Sequence, residues 1–281
     1  MAKAEIRCPT CNNVGKLEIA EDSIKNVLRG LLAVNVAPHI ICEHSFIVYI
    51  DKNLHVRDYF VADFQIELPK IVPEKIKVRR IPTKDIVDID LIKLNLHAIT
   101  LTYIIKSIFS KQKIVFISEQ TFLYEHYKNF FEYITMDAFD MNISIINKED
   151  YSKNKKQYKE YMVFEGNTIL RNYKKFINPK KVDVEKQIVN QFITEAELGY
   201  SYIALRNEIQ KAYELAKSMV NFVEDQKKAG ETLNVFKVLT HIEELYSVKI
   251  NIHYSNFLID IVRNYFGIDI PSASESFLTS I

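Results

Sequence analysis

At 281 residues, with 48% hydrophobic and 26% charged side chains, the chain has the balance of an ordinary folded protein and length for two or three units, which excludes a low-complexity polymer. Its 37 basic and 36 acidic residues nearly cancel, so no global field draws it to nucleic acid or an anionic membrane; such an attraction has to be local. Three cysteines cannot all pair and the N-terminus lacks the apolar core of a signal peptide, so free thiols and a cytoplasmic location are expected.

The first motif along the chain is "CPTC", Cys8 to Cys11. A tight turn brings two such thiols to one side, where they can share a tetrahedral ion, and Asn12, Asn13 and Gly15 tolerate the positive φ of that turn. A structural zinc needs two further N or S donors from a separate segment. "ICEHSF" offers Cys42 and His44, with His39 as the alternative imidazole. Four protein donors fill a tetrahedron and leave no position for a reacting water.

Around these residues the pattern is β. "GLLAVNVA" is a strand, and "SFIVYIDKNLHVRDYFVADF" is a hairpin with Phe46, Val48 and Ile50 on one face and Ile47 and Tyr49 on the other. The succession of CPxC, CxHSF, a strand and "YIDKNLHVRDY" resembles a zinc-ribbon-like N-terminal module of uncharacterised archaeal multidomain proteins. The resemblance covers residues 1–66. It implies a zinc-stapled β platform with Cys8, Cys11, Cys42 and His44 as ligands, and it implies no activity. Asp51 and Arg57 also match its pattern, Asp51 as the closing residue of the hairpin turn and Arg57 as its partner across it.

Residues 67–90 carry Pro69, Pro73 and Pro82 among alternating Ile and Val, which predicts an extended linker or an edge strand blunted by Lys75, Lys77, Arg79 and Arg80. "LIKLNLHAITLTYIIKSIFS", from Leu91, is long enough to cross a bilayer, but Lys93, His97 and Lys106 are spread along it, so it is read as a buried or amphipathic helix and no membrane span is expected. Strand runs "KIVFIS", "NISIIN" and "YMVFEG", with a helical run over 119–139, make residues 91–178 a small α/β unit with a parallel or mixed sheet.

No strand is followed by GxGxxG or GxxxxGK[ST], so the backbone lacks the glycines that cradle phosphate in the common nucleotide folds. Ser118, Glu119, Asn147, Glu149, Glu165 and Asn167 fall at the carboxyl ends of these strands, where such sheets bind ligands; the same residue types serve as caps and turns. From Tyr151 to Lys181 nine basic side chains stand against two acidic ones. Lys153, Lys155, Lys156, Tyr158, Lys159, Lys174 and Lys175 are the candidate contacts to single-stranded nucleic acid, rings for bases and ammonium groups for the backbone.

Residues 179–281 are read as a helical bundle with a short tail. Tyr202, Leu205, Ile209, Ala212, Ala216, Met219 and Val223 recur at steps of three and four on a helix that Gly230 can end. This seam serves the inside of a bundle or pairing with a second chain. Further helices are expected over 232–246 and 254–266.

The expected architecture is therefore a multidomain α+β or α/β protein: a small zinc-ribbon-like β module, a small α/β sheet unit and a C-terminal helical bundle. No catalytic constellation accompanies the closed metal site. The expected function is a non-enzymatic interaction or scaffold protein with a structural zinc and a protein partner. The alternatives are nucleic-acid binding through the zinc module and segment 151–181, and an enzyme acting at the strand ends of the α/β unit.

Overall fold

The computed structural model describes residues 2–20, 32–61, 68–70, 88–195, 198–230 and 235–270. The linker or edge strand expected from its prolines falls largely at 71–87, and the tail at 271–281, both outside the described residues.

The architecture is mixed α+β; the described residues form three small sheets, a Cys/His cluster at the N-terminal strands and a helical C-terminal region. Strands β1 (Ala2–Arg7) and β2 (Val14–Ile19) form an antiparallel hairpin. Strands β3 (Leu32–Val36), β4 (Phe46–Ile50) and β5 (Val56–Val61) form an antiparallel sheet in that order. The β1–β2 hairpin has a weak sequence pattern; Ala4 and Ile6, then Leu17 and Ile19, are its buried alternation.

All five residues of β4 are buried, and its period of two divides them. Phe46, Val48 and Ile50 pack with Ala4, Ile6, Leu17 and Ile19 of the hairpin, whereas Ile47 and Tyr49 belong to the main core of the molecule. The strand is thus a wall shared by two cores. Its turn is closed by Asp51, whose Oδ1 accepts from Asn53 N at 2.8 Å and His55 N at 2.9 Å and whose Oδ2 accepts from Arg57 Nε at 2.8 Å. These donors outweigh burial and hold the Asp51 carboxyl below its usual range.

The 91–110 run forms two helices rather than one, α1 (Ile89–Asn95) and α2 (Ala98–Ile108), because Leu96 between them is extended and His97, at φ −58° and ψ 135°, is not helical. The break aims His97 Nδ1 at Asp58 Oδ2 on β5, 2.7 Å away. Helix α2 is buried on almost every side, as expected for a central helix apolar all round. Its one buried ammonium, Lys106, is held by Glu185 Oε1 at 3.1 Å and Asp260 Oδ2 at 3.4 Å; burial alone would lower its pKa, but the two carboxylates raise it.

Strands β6 (Ile114–Ile117), β7 (Ile143–Ile146), β8 (Met162–Glu165) and β9 (Thr168–Arg171) make the third sheet in the order β7-β6-β8-β9. β6 runs parallel to β7 and β8, and β9 returns antiparallel through a turn in which Gly166 has φ +54°. Ile114, Phe116, Met162 and Phe164 face the main core, with α3 (Tyr124–Thr135) on that side. Val115, Ile117 and Val163 face a smaller core completed by Tyr151 of α4 (Lys148–Lys153).

Helices α5 (Asp183–Thr194), α6 (Leu198–Lys228), α7 (Val235–Tyr246) and α8 (Ile252–Asn264) complete the body. Every seam residue from Tyr202 to Val223 named above is buried, because α3, α5, α7 and α8 pack around α6. Pairing with another chain through this stripe would require the body to open. Gly230, at φ +72°, follows the last turn of α6. The α/β residues and these helices contribute to one cluster of buried side chains, and no helix among the described residues is long and apolar enough to cross a membrane.

The His97–Asp58 bond raises the His97 pKa above 6.5, the hydrogen bond to Asp58 outweighing burial. A folded pKa above the unfolded value of about 6.5 stabilises the fold fully below that pH and less as pH rises through the folded value. The gap in thermal midpoint between the wild-type chain and His97→Gln should be constant below about pH 6.5 and shrink above it. Thiol titration is common to both chains and cancels in this difference; a gap independent of pH would refute the assignment.

Candidate metal centre

Two loops build the site. β1 ends at Arg7, and the chain then turns with Cys8 N donating to Asn13 O at 2.8 Å and Asn12 N to Cys8 O at 2.9 Å. Asn12 takes the left-handed conformation, φ 63°, which is tolerable for Asn. The second loop joins β3 to β4. There His39, at φ 71°, donates its N–H to Cys42 O at 2.7 Å, and Cys42 and His44 follow before β4 starts.

The donor atoms of Cys8, Cys11, Cys42 and His44 all lie within 4.8 Å of one another, and the three cysteines are free thiols. Around a tetrahedral ion with metal–sulfur bonds of about 2.3 Å and metal–nitrogen bonds of about 2.0 Å, neighbouring donors sit roughly 3.5–3.8 Å apart. Cys42 Sγ is 3.7 Å from His44 Nδ1, so the four are close enough to bind a metal ion. Nδ1 is the ring nitrogen nearer the backbone, and its use explains how a Cys-x-His spacing, one residue shorter than a usual knuckle, still closes.

The electrostatics of the donors match that chemistry. Burial pushes the Cys8 thiol up, but the backbone N–H groups of Cys11 and Thr10 and the thiols of Cys42 and Cys11 bring it down to about 7. Cys42 goes the other way, to about 11: its contact with the His44 backbone lowers it, and burial together with the neighbouring Cys8 and Cys11 sulfurs raises it more. Negative charge on one sulfur thus hinders ionisation of the next, and a bound dication removes that conflict by neutralising the set.

Supporting contacts tie the loops to the sheet. Arg7 N donates to Tyr59 Oη on β5 at 3.1 Å, and the Tyr59 ring lies 6.1 Å from that of Phe46. Gly15 has an ordinary φ and is required for space, because a Cβ there would lie 2.8 Å from Ile41 Cγ1. His39 is exposed and its Nδ1 faces Glu43 Oε1 at 3.2 Å, outside the donor cluster.

The other candidate residues lie in two places apart from this cluster. At the sheet's carboxyl ends Asn147 caps α4 through Asp150 N at 2.7 Å, Glu119 accepts from Lys148 N at 3.0 Å, and Glu165 pairs with Lys148 Nζ at 2.8 Å; Glu149 pairs with Lys153 at 2.6 Å. Lys153, Lys155, Lys156 and Lys159 line one concavity with Arg171. Tyr158 does not offer its ring there, being packed between Tyr151 at 5.9 Å and Tyr161 at 5.3 Å. Lys174 and Lys175 sit apart in a short turn, with φ of 53° and 54°. A group missed in sequence is Tyr49, Asp58, Lys93 and His97. They meet at one small cavity, and their spacing carries no motif.

Compared with known proteins, the chain matches no family model, no curated protein and no solved structure.

Gly15→Ala should destabilise the module by about 1–3 kcal/mol, the usual cost of overpacking, because Ile41 is β-branched and stiff at χ1. Adding Ile41→Ala to the same chain should recover most of the loss once its own cost is subtracted. Denaturant unfolding of the four members of this double-mutant cycle measures the coupling, and strict additivity would show that the two sites do not touch.

Proposed function

We propose that this chain is a non-enzymatic interaction protein whose N-terminal module is held rigid by a structural zinc ion. The observation that carries the reading is the closed set of Cys8, Cys11, Cys42 and His44, drawn from two loops that pin the β1–β2 hairpin to the β3–β4–β5 sheet. Three thiolates and an imidazole are the donors of structural zinc sites, and softness favours zinc over magnesium or calcium. Such a module is too small to hold its shape by apolar burial alone. The resemblance noted in the sequence supports the same ligand set.

A rigid platform supports docking when it presents contact groups. Val14 and Ile40, each 52% exposed, flank the Gly15–Ile41 contact and stand at the module surface. Elemental analysis of protein purified without added metal should give about one zinc per chain, with loss in Cys42→Ser and in His44→Ala. Chelation should speed amide exchange in β1 and β2 far more than in α6. No metal, retention in both variants, or turnover by the purified protein would sink the proposal.

A second reading, nucleic-acid binding, has its own observation. The α4–β8 loop bounds an open concavity of about 670 Å³ lined by Lys153, Lys155, Lys156, Lys159 and Arg171, with no carboxylate among the lining residues. With Tyr158 packed away, this surface is suited to a phosphate backbone and not to base stacking. Binding of a labelled oligonucleotide should fall steeply with salt and be indifferent to sequence, and Lys155→Ala with Lys156→Ala should reduce the salt slope by about two. Absence of binding at low salt removes this reading.

A further inference from the structure

Besides its five cationic side chains, the concavity beside α4 is lined only by Ser152, Asn154 and Gln157, so it holds neither an aliphatic anchor nor an aromatic ring. Protein interfaces are centred on such anchors, whereas nucleic-acid interfaces are polar, basic and dominated by contacts to phosphate. Lys153 is matched by Glu149 at 2.6 Å. Lys155, Lys156, Lys159 and Arg171 have no carboxylate partner among the described residues, and Glu160, next to Lys159 in the chain, stands outside the lining.

The loop that carries these charges is anchored from below. Tyr158 and Tyr161 pack against the small core of Val115, Ile117, Tyr151 and Val163, and the Lys113 ammonium lies 5.6 Å from the centre of the Tyr161 ring. Asn154 N donates to Asp150 O at 3.1 Å, and Gln157 N to Asn154 O at 2.8 Å. The rings of this Lys/Tyr segment are thus spent on holding the loop, while Lys155, Lys156 and Lys159 stand exposed. A backbone fixed in this way has less freedom to lose when a partner binds.

We propose that this concavity binds double-stranded nucleic acid through its phosphates, in preference to single strands; the proposal rests on the nucleic-acid reading of the same surface. Sequence-tolerant binding of single strands draws on bases stacked against aromatic rings, and no ring lines this surface. Charge is what remains. A duplex carries about one negative charge per 1.7 Å of its axis, against about one per 3.4 Å along either strand alone, so a site that works by charge favours the duplex. Contacts to phosphate carry no base identity, and DNA and RNA duplexes share the chemistry recognised. Sites for small ligands are mostly apolar and enclose most of the ligand, whereas this one is open and has no apolar lining. It uses none of the four metal donors and stands independently of the zinc reading.

The test is fluorescence anisotropy of the full chain with a labelled DNA duplex, an RNA duplex of the same sequence and the separated strands of each, over a salt series, with polyglutamate as competitor. At about 50 mM salt each duplex should bind about tenfold tighter than its own strands. On the duplex, the double variant Lys155→Ala with Lys156→Ala should lower the slope of log affinity against log salt by about two. Both lysines are exposed, and the comparison of duplex with strands on the unaltered chain needs no variant. Strands bound as tightly as either duplex would overturn the proposal and leave the nucleic-acid reading standing; no binding of any of them at low salt would remove both. An unchanged slope in the double variant would place the contact on another surface, and displacement by polyglutamate at equal charge would assign this one to an acidic protein; either result overturns the proposal.

Discussion

The structure depends on a strand that has no solvent side. β4 is buried along its whole length, and a one-residue slip in its register would exchange Phe46, Val48 and Ile50 with Ile47 and Tyr49, placing the wrong shapes in both cores at once. The strand's position therefore fixes the metal module and the helical body relative to each other. The Asp51 turn sets the register from one end, and the Cys42–His44 loop leads into it at the other.

That arrangement gives the metal loops their role. The hairpin β1–β2 touches the rest through few apolar side chains, chiefly Ala4, Ile6, Leu17 and Ile19, which is little apolar area for a unit of its size. Cross-linking Cys8 and Cys11 to Cys42 and His44 through an ion would close the open end of this small core, where Cys8 is itself fully buried. The left-handed residues Asn12 and His39 lie in the two loops that carry the four donors.

Much of this was readable in the chain. Cys8, Cys11, Cys42 and His44 could be grouped from donor type and segment spacing, and the two faces of β4 from its alternation. The strands of the third sheet followed from short apolar runs. What escaped was set by contacts distant in sequence. Nothing near Leu96 and His97 breaks a helical pattern; the pairing with Asp58, 39 residues away, accompanies the break. The hairpin β1–β2 has only two buried side chains per strand, too few to rise above background, although the Gly-Asn pair at 166–167 was a usable signal for β9. Gly15 was read as a turn residue, and its neighbour Ile41 shows that it answers to volume. Tyr158 has the residue type of a stacking ring, but it packs between Tyr151 and Tyr161.

The Lys106 triad constrains how this chain can change over generations. Its three members come from α2, α5 and α8, with Lys106 and Glu185 almost wholly enclosed. Losing Lys106 leaves the Glu185 carboxylate uncompensated in a tight interior, and losing Glu185 leaves Lys106 with only the half-exposed Asp260; such a step costs about 3–5 kcal/mol for a buried pair, whereas exchanging the pair for well-packed apolar side chains is often neutral or better. Both end points are compatible with the fold, and the single substitutions of Lys106 or Glu185 between them carry the full cost. A polar arrangement of this kind can persist in a lineage because no passable sequence of single changes leads away from it, whatever its net contribution to stability.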